Sequence, residues 1–249
     1  MTDSDEQMAL VLRRAARDLT AGRTIRDLER TLALIVDTAV RTLPCADAAG
    51  IAVTGEGVAR HHESAPEVAA LHRTQDEDAE GPALDVLDDL LGDGLVVAHD
   101  LGGVDAVRWP RFAAAAVAAD YRSVLCARLH TGSRNRATLT LYAARPYAFD
   151  AGARTIAGLY AAQAALLLLG SEQAGYLQRA VDSRDVIGQA KGVLMERFGI
   201  DDDAAFQMLI RSSQDTNMKL ADVARWLRGE VARGGGSEPG TDSLRSAEG

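Results

Sequence analysis

The most constraining feature of this chain is the segment 183–199, SRDVIGQAKGVLMERFG, which has helical periodicity but contains two internal glycines. One apolar stripe at helical spacing consists of Ile187, Ala190, Leu194 and Phe198. A neighbouring row consists of Arg184, Gly188, Lys191 and Met195. A glycine inside a helix costs about 1 kcal/mol relative to alanine, so Gly188 and Gly192 need a reason. Close approach of another backbone or of a ligand beside Lys191 would supply one.

The residues that follow predict two more short helices. Gly199 and Ile200 are typical of a helix C-cap, and the three aspartates at 201–203 suit a helix N-terminus. A second helix over 203–214 is expected to turn inward Phe206, Leu209, Ile210 and Ser213. A third has regular apolar spacing at Leu220, Val223, Ala224 and Leu227. Three such stripes can be buried only against one another or against a partner chain.

This region resembles the ANTAR domain over about 177–231. The matching residues are Arg184, Ile187, Gln189, Ala190, Lys191, Gly192, Leu194, Met195, Ala205, Phe206, Leu209, Ser212, Ser213, Asn217, Lys219, Leu220, Val223 and Ala224. The resemblance implies an RNA-binding output module of a bacterial transcription antiterminator. The RNA-binding residues it implies here are Arg184, Gly188, Gln189, Ala190, Lys191, Gly192, Arg197, Ser213, Asn217 and Lys219.

Charge argues against a uniformly basic nucleic-acid binder. The chain has a formal net charge of −9, but residues 175–234 contain nine basic and nine acidic side chains. The module implied by the resemblance is therefore neutral, and phosphate attraction must come from local placement of its basic residues. Binding of that kind is expected to weaken as salt rises.

The first 170 residues predict a mixed domain. Helices are expected over 5–19, 24–43, 66–74, 84–91 and 112–119, and strands over 48–53, 58–63, 95–98, 124–129 and 137–143. This order indicates an α+β fold with an antiparallel sheet.

This part resembles a GAF sensor domain, of the actinobacterial kind that precedes ANTAR. The matching segments are 46–51, 80–85, 100–101, 108–112, 122–125 and 139–142. The residue after Gly81-Pro82 is often cysteine in such proteins, but here it is Ala83. We expect either a small-molecule pocket between the sheet and 81–91, or a degenerate sensor retained for dimerisation.

The predicted organisation is an N-terminal helix (1–23), a GAF-like domain (24–170), an ANTAR domain (171–233) and a disordered tail (234–249). Helical periodicity over 151–178 predicts a continuous linker helix. The four leucines at 166–169 are too many for one helix face. They favour a homodimer in which this helix packs with the N-terminal helices.

No motif indicates catalysis. The chain lacks GxxxxGK[ST], GxSxG and HExxH, so we expect no enzyme activity, cofactor or metal site. His61 and His62 are adjacent on a predicted strand, point to opposite faces, and are interpreted as a surface pair. Cys45 and Cys126 are interpreted as small buried apolar residues in a reducing cytoplasm. The longest apolar run, 161–169, is shorter than a bilayer requires.

The expected function is an RNA-binding antitermination regulator. A GAF-like sensor would control an ANTAR module that binds hairpins in nascent leader RNA, affecting RNA polymerase only indirectly. Two alternatives remain. One is a DNA-binding helix-turn-helix regulator that reads a major groove with its third helix; the other is a protein-interaction adaptor without nucleic-acid contacts.

Overall fold

A computed structural model describes residues 10, 13, 17, 28–55, 58–89, 92–129 and 135–234. The chain divides into two compact units, Met1–Gly175 and Tyr176–Gly249. The helix predicted over 5–19 lies almost wholly outside the described residues, and the tail beyond 234 lies outside them entirely.

The first unit is an α+β fold, as the sequence predicts. In chain order its elements are α1 (Leu28–Thr42), β1 (Ala48–Gly55), β2 (Val58–Glu63), α2 (Pro66–Asp78), α3 (Pro82–Asp88), β3 (Leu95–Ala98), a 3-10 turn (Val104–Val107), α4 (Pro110–Ala118), β4 (Ser123–Leu129), β5 (Asn135–Ala143) and the first part of α5 (Ala151–Phe198). All five strands form one antiparallel sheet in the order β2-β1-β5-β4-β3.

Several helix boundaries differ from the sequence prediction, and two of the differences lie around Gly81-Pro82. The helix expected over 66–74 continues to Asp78, where Ala79 ends it in a left-handed conformation. The helix expected over 84–91 begins at Pro82 and ends at Asp88. Proline is well placed in a first helical turn, since its missing N–H would have no partner there. The Gly81-Pro82 pair therefore starts α3 rather than merely breaking the chain.

Strand register sorts the sheet into an apolar face and a mixed face. Ile51 pairs with Leu139, and Leu139 with Ala127, so these three side chains share one face. That face forms a core with α1 and α5, including buried Ile35, Tyr160 and Leu168. The Tyr160 hydroxyl donates a 2.6 Å hydrogen bond to the carbonyl of Ile35, which ties the two helices together.

The opposite face carries α2, α3 and α4 and buries several polar groups. Gly50 pairs with Thr140, and Thr140 with Cys126, so this row faces the second layer. Cys126 Sγ lies 3.2 Å from Thr140 Oγ1. Complete burial raises the pKa of the Cys126 thiol to about 12, which keeps it protonated and unreactive at neutral pH. The interpretation of Cys126 as a small buried residue is confirmed, while Cys45 is half-buried.

The second unit contains the rest of α5, followed by α6 (Asp202–Thr216) and α7 (Leu220–Gly234). Its core consists of Ala190, Leu194, Ala205, Leu209, Val223 and Ala224. Gly199 has a φ of 63° and ends α5, while Ile200 packs against the core. The Asp201 carboxylate caps α6 by accepting a 2.8 Å bond from the Ala204 amide. These caps are the ones that the sequence predicts.

α5 is one continuous helix of 48 residues, which confirms the predicted linker helix. By length and composition it is apolar enough to cross a membrane, and 39% of its most apolar window is buried inside the protein. The leucines at 166–169 do not act as one group. Leu168 is buried against the sheet, whereas Leu166 is 71% exposed and Leu169 is 40% exposed.

Candidate nucleic-acid interface

Four of the predicted RNA-binding residues line one open groove of about 780 Å³ in the second unit. They are Arg184, Gly188, Gln189 and Lys191, all on α5. The other lining residues are Ala180, Ser183, Asp185, Ile187 and Phe206. The groove thus combines cationic, glycine and aromatic surface at the position that the sequence singles out.

The two internal glycines leave bare helix surface. A Cβ atom added at Gly188 or Gly192 would have no heavy atom of a neighbouring described residue within 4 Å. No packed neighbour among those residues therefore explains the missing side chains. Gly188 lines the groove itself, so its bare surface is open to an external molecule.

Lys191 is held against the start of α6. Its Nζ lies 2.6 Å from the carboxylate oxygens of Asp202 and 5.5 Å from the centre of the Phe206 ring. Its side chain is 21% exposed. A solvent-accessible ion pair of this kind typically contributes about 0–1 kcal/mol. The contact therefore fixes the ammonium group at the groove without making it unavailable to a stronger anion.

The structure buries Ala190, which the family resemblance includes among the RNA-binding residues. Its side chain is fully buried and packs with Leu194 and Ala205 in the three-helix core. A small residue is suited to this position because the helices approach closely there. Ala190 belongs to the domain's packing rather than to its surface.

Gln189 already has an internal partner. Its side-chain oxygen accepts a 3.1 Å hydrogen bond from the Arg228 guanidinium, which links α5 to α7. Gln189 therefore positions α7 while its side chain lines the groove.

The remaining predicted residues do not line the groove. Gly192 and Arg197 are exposed on α5. Ser213, Asn217 and Lys219 lie at the turn between α6 and α7. The Ser213 hydroxyl donates a 2.6 Å bond to the Met218 carbonyl, and Asn217 ends α6 with a φ of 53°. This turn is stabilised by local bonds, leaving Lys219 exposed.

Sequence reasoning misplaces two aromatic residues of this unit. Phe206 is predicted in the core but is half-buried and lines the groove beside Lys191. Phe198 belongs to the predicted apolar stripe, yet it is 55% exposed, and Trp226 on α7 is also exposed. The helices are too short to bury every apolar residue at helical spacing. The two glycines beside Lys191 are the sequence signal that points to the groove, and they do not identify Phe206.

α3 packs directly on the sheet where the sequence predicts a pocket, with Val86 fully buried. An open groove of about 640 Å³ lies beside α3, lined by Ala79, Glu80, Leu84, Asp85, Asp88, Arg108 and Trp109. The Arg108 guanidinium lies 4.2 Å from the Trp109 ring centre and 3.5 Å from Asp85.

Comparison with known proteins identifies a domain family within the second unit. Residues 176–227 match the ANTAR domain family, which confirms the resemblance found in the sequence. No curated protein matches the chain in sequence.

Several solved structures are similar in outline. Escherichia coli SdiA is 14% identical with a TM-score of 0.44, covering 80% of this chain and 89% of that chain. SdiA in complex with octanoyl-rac-glycerol is 15% identical with a TM-score of 0.44, covering 90% and 94%. Bacteriophytochrome RpBphP3 from the photosynthetic bacterium R. palustris is 10% identical with a TM-score of 0.48, and this chain covers 42% of it. Similarity this low does not assign the first unit to a family.

Proposed function

We propose that this protein is an RNA-binding transcription antitermination regulator whose ANTAR domain binds hairpins in nascent leader RNA. One observation carries the proposal: the residues that match the ANTAR family contain a groove lined by Arg184, Gly188 and Lys191. ANTAR domains are RNA-binding antitermination modules. A bound hairpin would prevent a terminator from forming, so RNA polymerase would be affected only indirectly.

The groove supplies the contacts that an RNA loop requires. Arg184 and Lys191 would bind phosphates, and the bare surface at Gly188 would let the RNA backbone approach. The half-buried ring of Phe206 would stack on an unpaired base, since loop bases are splayed out and readily bind aromatic rings. Gly192 and Arg197 would extend this surface along α5.

RNA binding at Lys191 would require displacement of Asp202. A phosphate that contacts Lys191 must displace the Asp202 carboxylate, which lies 2.6 Å from the ammonium group. Phosphate and carboxylate compete for the same cation, and the second unit has no net positive charge to add. We therefore propose that affinity per domain is modest and strongly dependent on salt.

A homodimer would supply the missing affinity. Positions 159, 162, 166, 169 and 173 of α5 follow heptad spacing and are all exposed, with leucine at 159, 166 and 169. Such a seam is typical of a coiled-coil contact with a second copy. Two ANTAR domains would then bind paired hairpins with an affinity beyond that of either alone.

The first unit would act as a GAF-like sensor or as a degenerate one used for dimerisation. Its antiparallel sheet, with helices on both faces, is the architecture that the resemblance implies. A ligand would bind the groove beside α3 rather than the sheet face that α3 covers. The protein would act in the cytoplasm without a membrane, because the buried residues of α5 pack against its own sheet.

A DNA-binding regulator is the main alternative. It would read a major groove with α7, and the exposed Trp226 and Arg225 lie on that helix. Arg225, however, pairs with Asp222 one turn earlier. A protein-interaction adaptor would use the same exposed apolar residues without nucleic acid.

The test is to crosslink the full chain in cells, recover it and sequence the bound nucleic acid. The proposal expects leader transcripts that share a hairpin, and it expects excess unrelated RNA to leave that enrichment unchanged. Recovery of duplex DNA would support the helix-turn-helix alternative. Recovery of neither nucleic acid, with a protein captured instead, would support the adaptor.

A further inference from the structure

Four side chains of types that can bind metal ions meet where α2 packs beside β2. His61 and Glu63 are two residues apart on β2 and therefore share a face of the strand. His72 and Asp76 are four residues apart on α2 and share a face of the helix. The Nδ1 atom of His72 lies 3.0 Å from Glu63 Oε1, and the Nε2 atom of His61 lies 3.5 Å from Asp76 Oδ2.

The donor atoms are already close enough for one ion. His61, Glu63 and His72 each offer a ligand atom, and these atoms all lie within 4.8 Å of one another. Around zinc, with bonds of about 2.0–2.2 Å, donors of a tetrahedral site are roughly 3.3 Å apart. Small side-chain rotations would close the difference. Asp76 is 61% exposed and adjacent to His61, so it can move to supply a fourth ligand.

The position of the His72 ring requires a residue without a side chain at Gly50 on β1. His72 is buried, and its ring lies directly over Gly50. A Cβ atom at residue 50 would lie 2.6 Å from His72 Cε1 and 2.8 Å from its Nε2. The ring therefore occupies space that only glycine leaves.

One nitrogen of the cluster lacks a partner. The Nδ1 atom of His61 is buried and has no hydrogen-bond partner among the described residues. Buried polar atoms are nearly always paired with protein, water or an ion. The two imidazole rings also lie close, with centres 5.2 Å apart, which suits shared coordination better than two independent structural roles.

We propose that His61, Glu63 and His72, with Asp76 as a fourth ligand, bind one divalent transition-metal ion, for which Zn²⁺ fits best. Two imidazoles with carboxylates match the donors that zinc prefers. Ca²⁺ and Mg²⁺ prefer oxygen donors only. The proposal replaces the expectation of no metal site, and it stands apart from RNA binding, since all four residues belong to the first unit.

His62 supplies a matched control. It pairs with Ile51 in the strand register, whereas His61 pairs with Ala52, so the two histidines face opposite sides of the sheet. The predicted separation of His61 from His62 is therefore confirmed. The sequence prediction misses that His61 shares its strand face with Glu63 and lies beside His72 of α2.

The test uses the full chain freed of metal with a chelator and titrated with Zn²⁺ by calorimetry. Wild type and His62→Gln are expected to bind one Zn²⁺ per chain, and both should melt at a higher temperature with zinc because ligand binding stabilises the folded state. His61→Gln should weaken binding roughly tenfold or more, because even loss of a residue that only supports a metal ligand typically costs 10–100-fold in affinity. Asp76→Asn, at an exposed side chain, should cause a smaller loss without affecting folding.

Co²⁺ identifies the ligands independently of affinity. The wild-type complex should show the visible absorption of tetrahedral Co²⁺, and His61→Gln should lose it while His62→Gln retains it. Absence of saturable binding would overturn the proposal. Equal losses from His61→Gln and His62→Gln would overturn it too, because they would mean surface binding to either histidine, leaving His72 and Glu63 as a hydrogen-bonded pair that only joins α2 to β2.

Discussion

At the scale of single residues, the Asp202 carboxylate and an RNA phosphate would compete for Lys191. Its ammonium group contacts Asp202 in the free protein and would contact phosphate in the complex. Because the carboxylate and a phosphate would compete for the same ammonium group, Asp202 would lower RNA affinity by as much as it stabilises the free lysine. The ion pair would therefore affect RNA binding more than stability.

Asp202→Asn is therefore expected to tighten RNA binding a few-fold, since a repulsive and competing charge is removed. Stability should fall slightly, by about 0.3–1 kcal/mol, because the carboxylate also favours the N-terminus of α6. Fluorescence anisotropy and thermal melting measure the two effects. Asp203→Asn, in the same turn but without the contact to Lys191, is the control. Weaker RNA binding by Asp202→Asn alone would mean that Asp202 orients Lys191 for RNA instead.

A substitution at Gly188 is expected to have opposite effects on stability and on RNA binding. Because nothing lies within 4 Å of its Cβ position, Gly188→Ala should stabilise the helix by up to about 1 kcal/mol. The same methyl group would occupy the floor of the groove, so RNA binding should weaken. Thermal melting tests the expected gain in stability, and fluorescence anisotropy on the same sample tests the expected loss of RNA affinity. Gly199→Ala, where φ is 63°, should instead destabilise the domain. Unchanged RNA affinity in Gly188→Ala would exclude close approach there.

At the scale of elements, α5 serves two environments. Over the sheet, one side of the helix is buried, while leucines at 159, 166 and 169 remain exposed. An exposed apolar row with heptad spacing is most simply covered by the same helix of a second copy. A dimer formed in this way would be a property of α5 and not of the sheet.

Leu166→Glu is expected to convert a dimer into the 26.4 kDa monomer, because it buries a charge in the seam. Light scattering at tens of micromolar measures the mass. Val107→Glu, an equally exposed apolar residue in the 3-10 turn, should remain dimeric. A wild-type monomer at that concentration would defeat the dimer proposal.

Periodicity predicts the elements well because the sheet and the three-helix core follow simple rules. Alternation places Ile51 in the core, and the glycine and aspartate caps of α5 and α6 are readable from single residues. Periodicity fails for Phe198 and Phe206, and the family resemblance does not distinguish the buried Ala190 from the exposed Gln189 beside it. The spacing shows that a residue lies on a face, but the contact area between short helices decides whether that face is covered.

At the scale of the whole molecule, the ANTAR domain would give the output and the first unit would give the input. The family match supports an RNA-binding output. Residues 175–234 carry no net charge, so RNA affinity must come from the placement of individual basic side chains. The proposed metal ligands are hardest to predict, because His61 and His72 come from a strand and a helix whose packing no local pattern specifies.

Two neutral substitutions in the full chain decide whether RNA binds the groove beside Lys191. Lys191→Gln is preferable to charge reversal, since a glutamate would be placed against Asp202. Arg211→Gln removes the same charge from an exposed position on α6 outside the groove. Anisotropy with a recovered leader hairpin, measured at several salt concentrations, gives both affinity and salt slope.

Lys191→Gln is expected to bind the hairpin roughly tenfold more weakly than wild type. For this variant, the slope of log affinity against log salt concentration should fall by about one unit, as expected for loss of one phosphate contact. Its melting temperature should stay close to that of wild type, because the ion pair contributes at most about 1 kcal/mol. Arg211→Gln should bind nearly as well as wild type. Equal affinity for Lys191→Gln and wild type, or equal losses from both substitutions, would contradict the account.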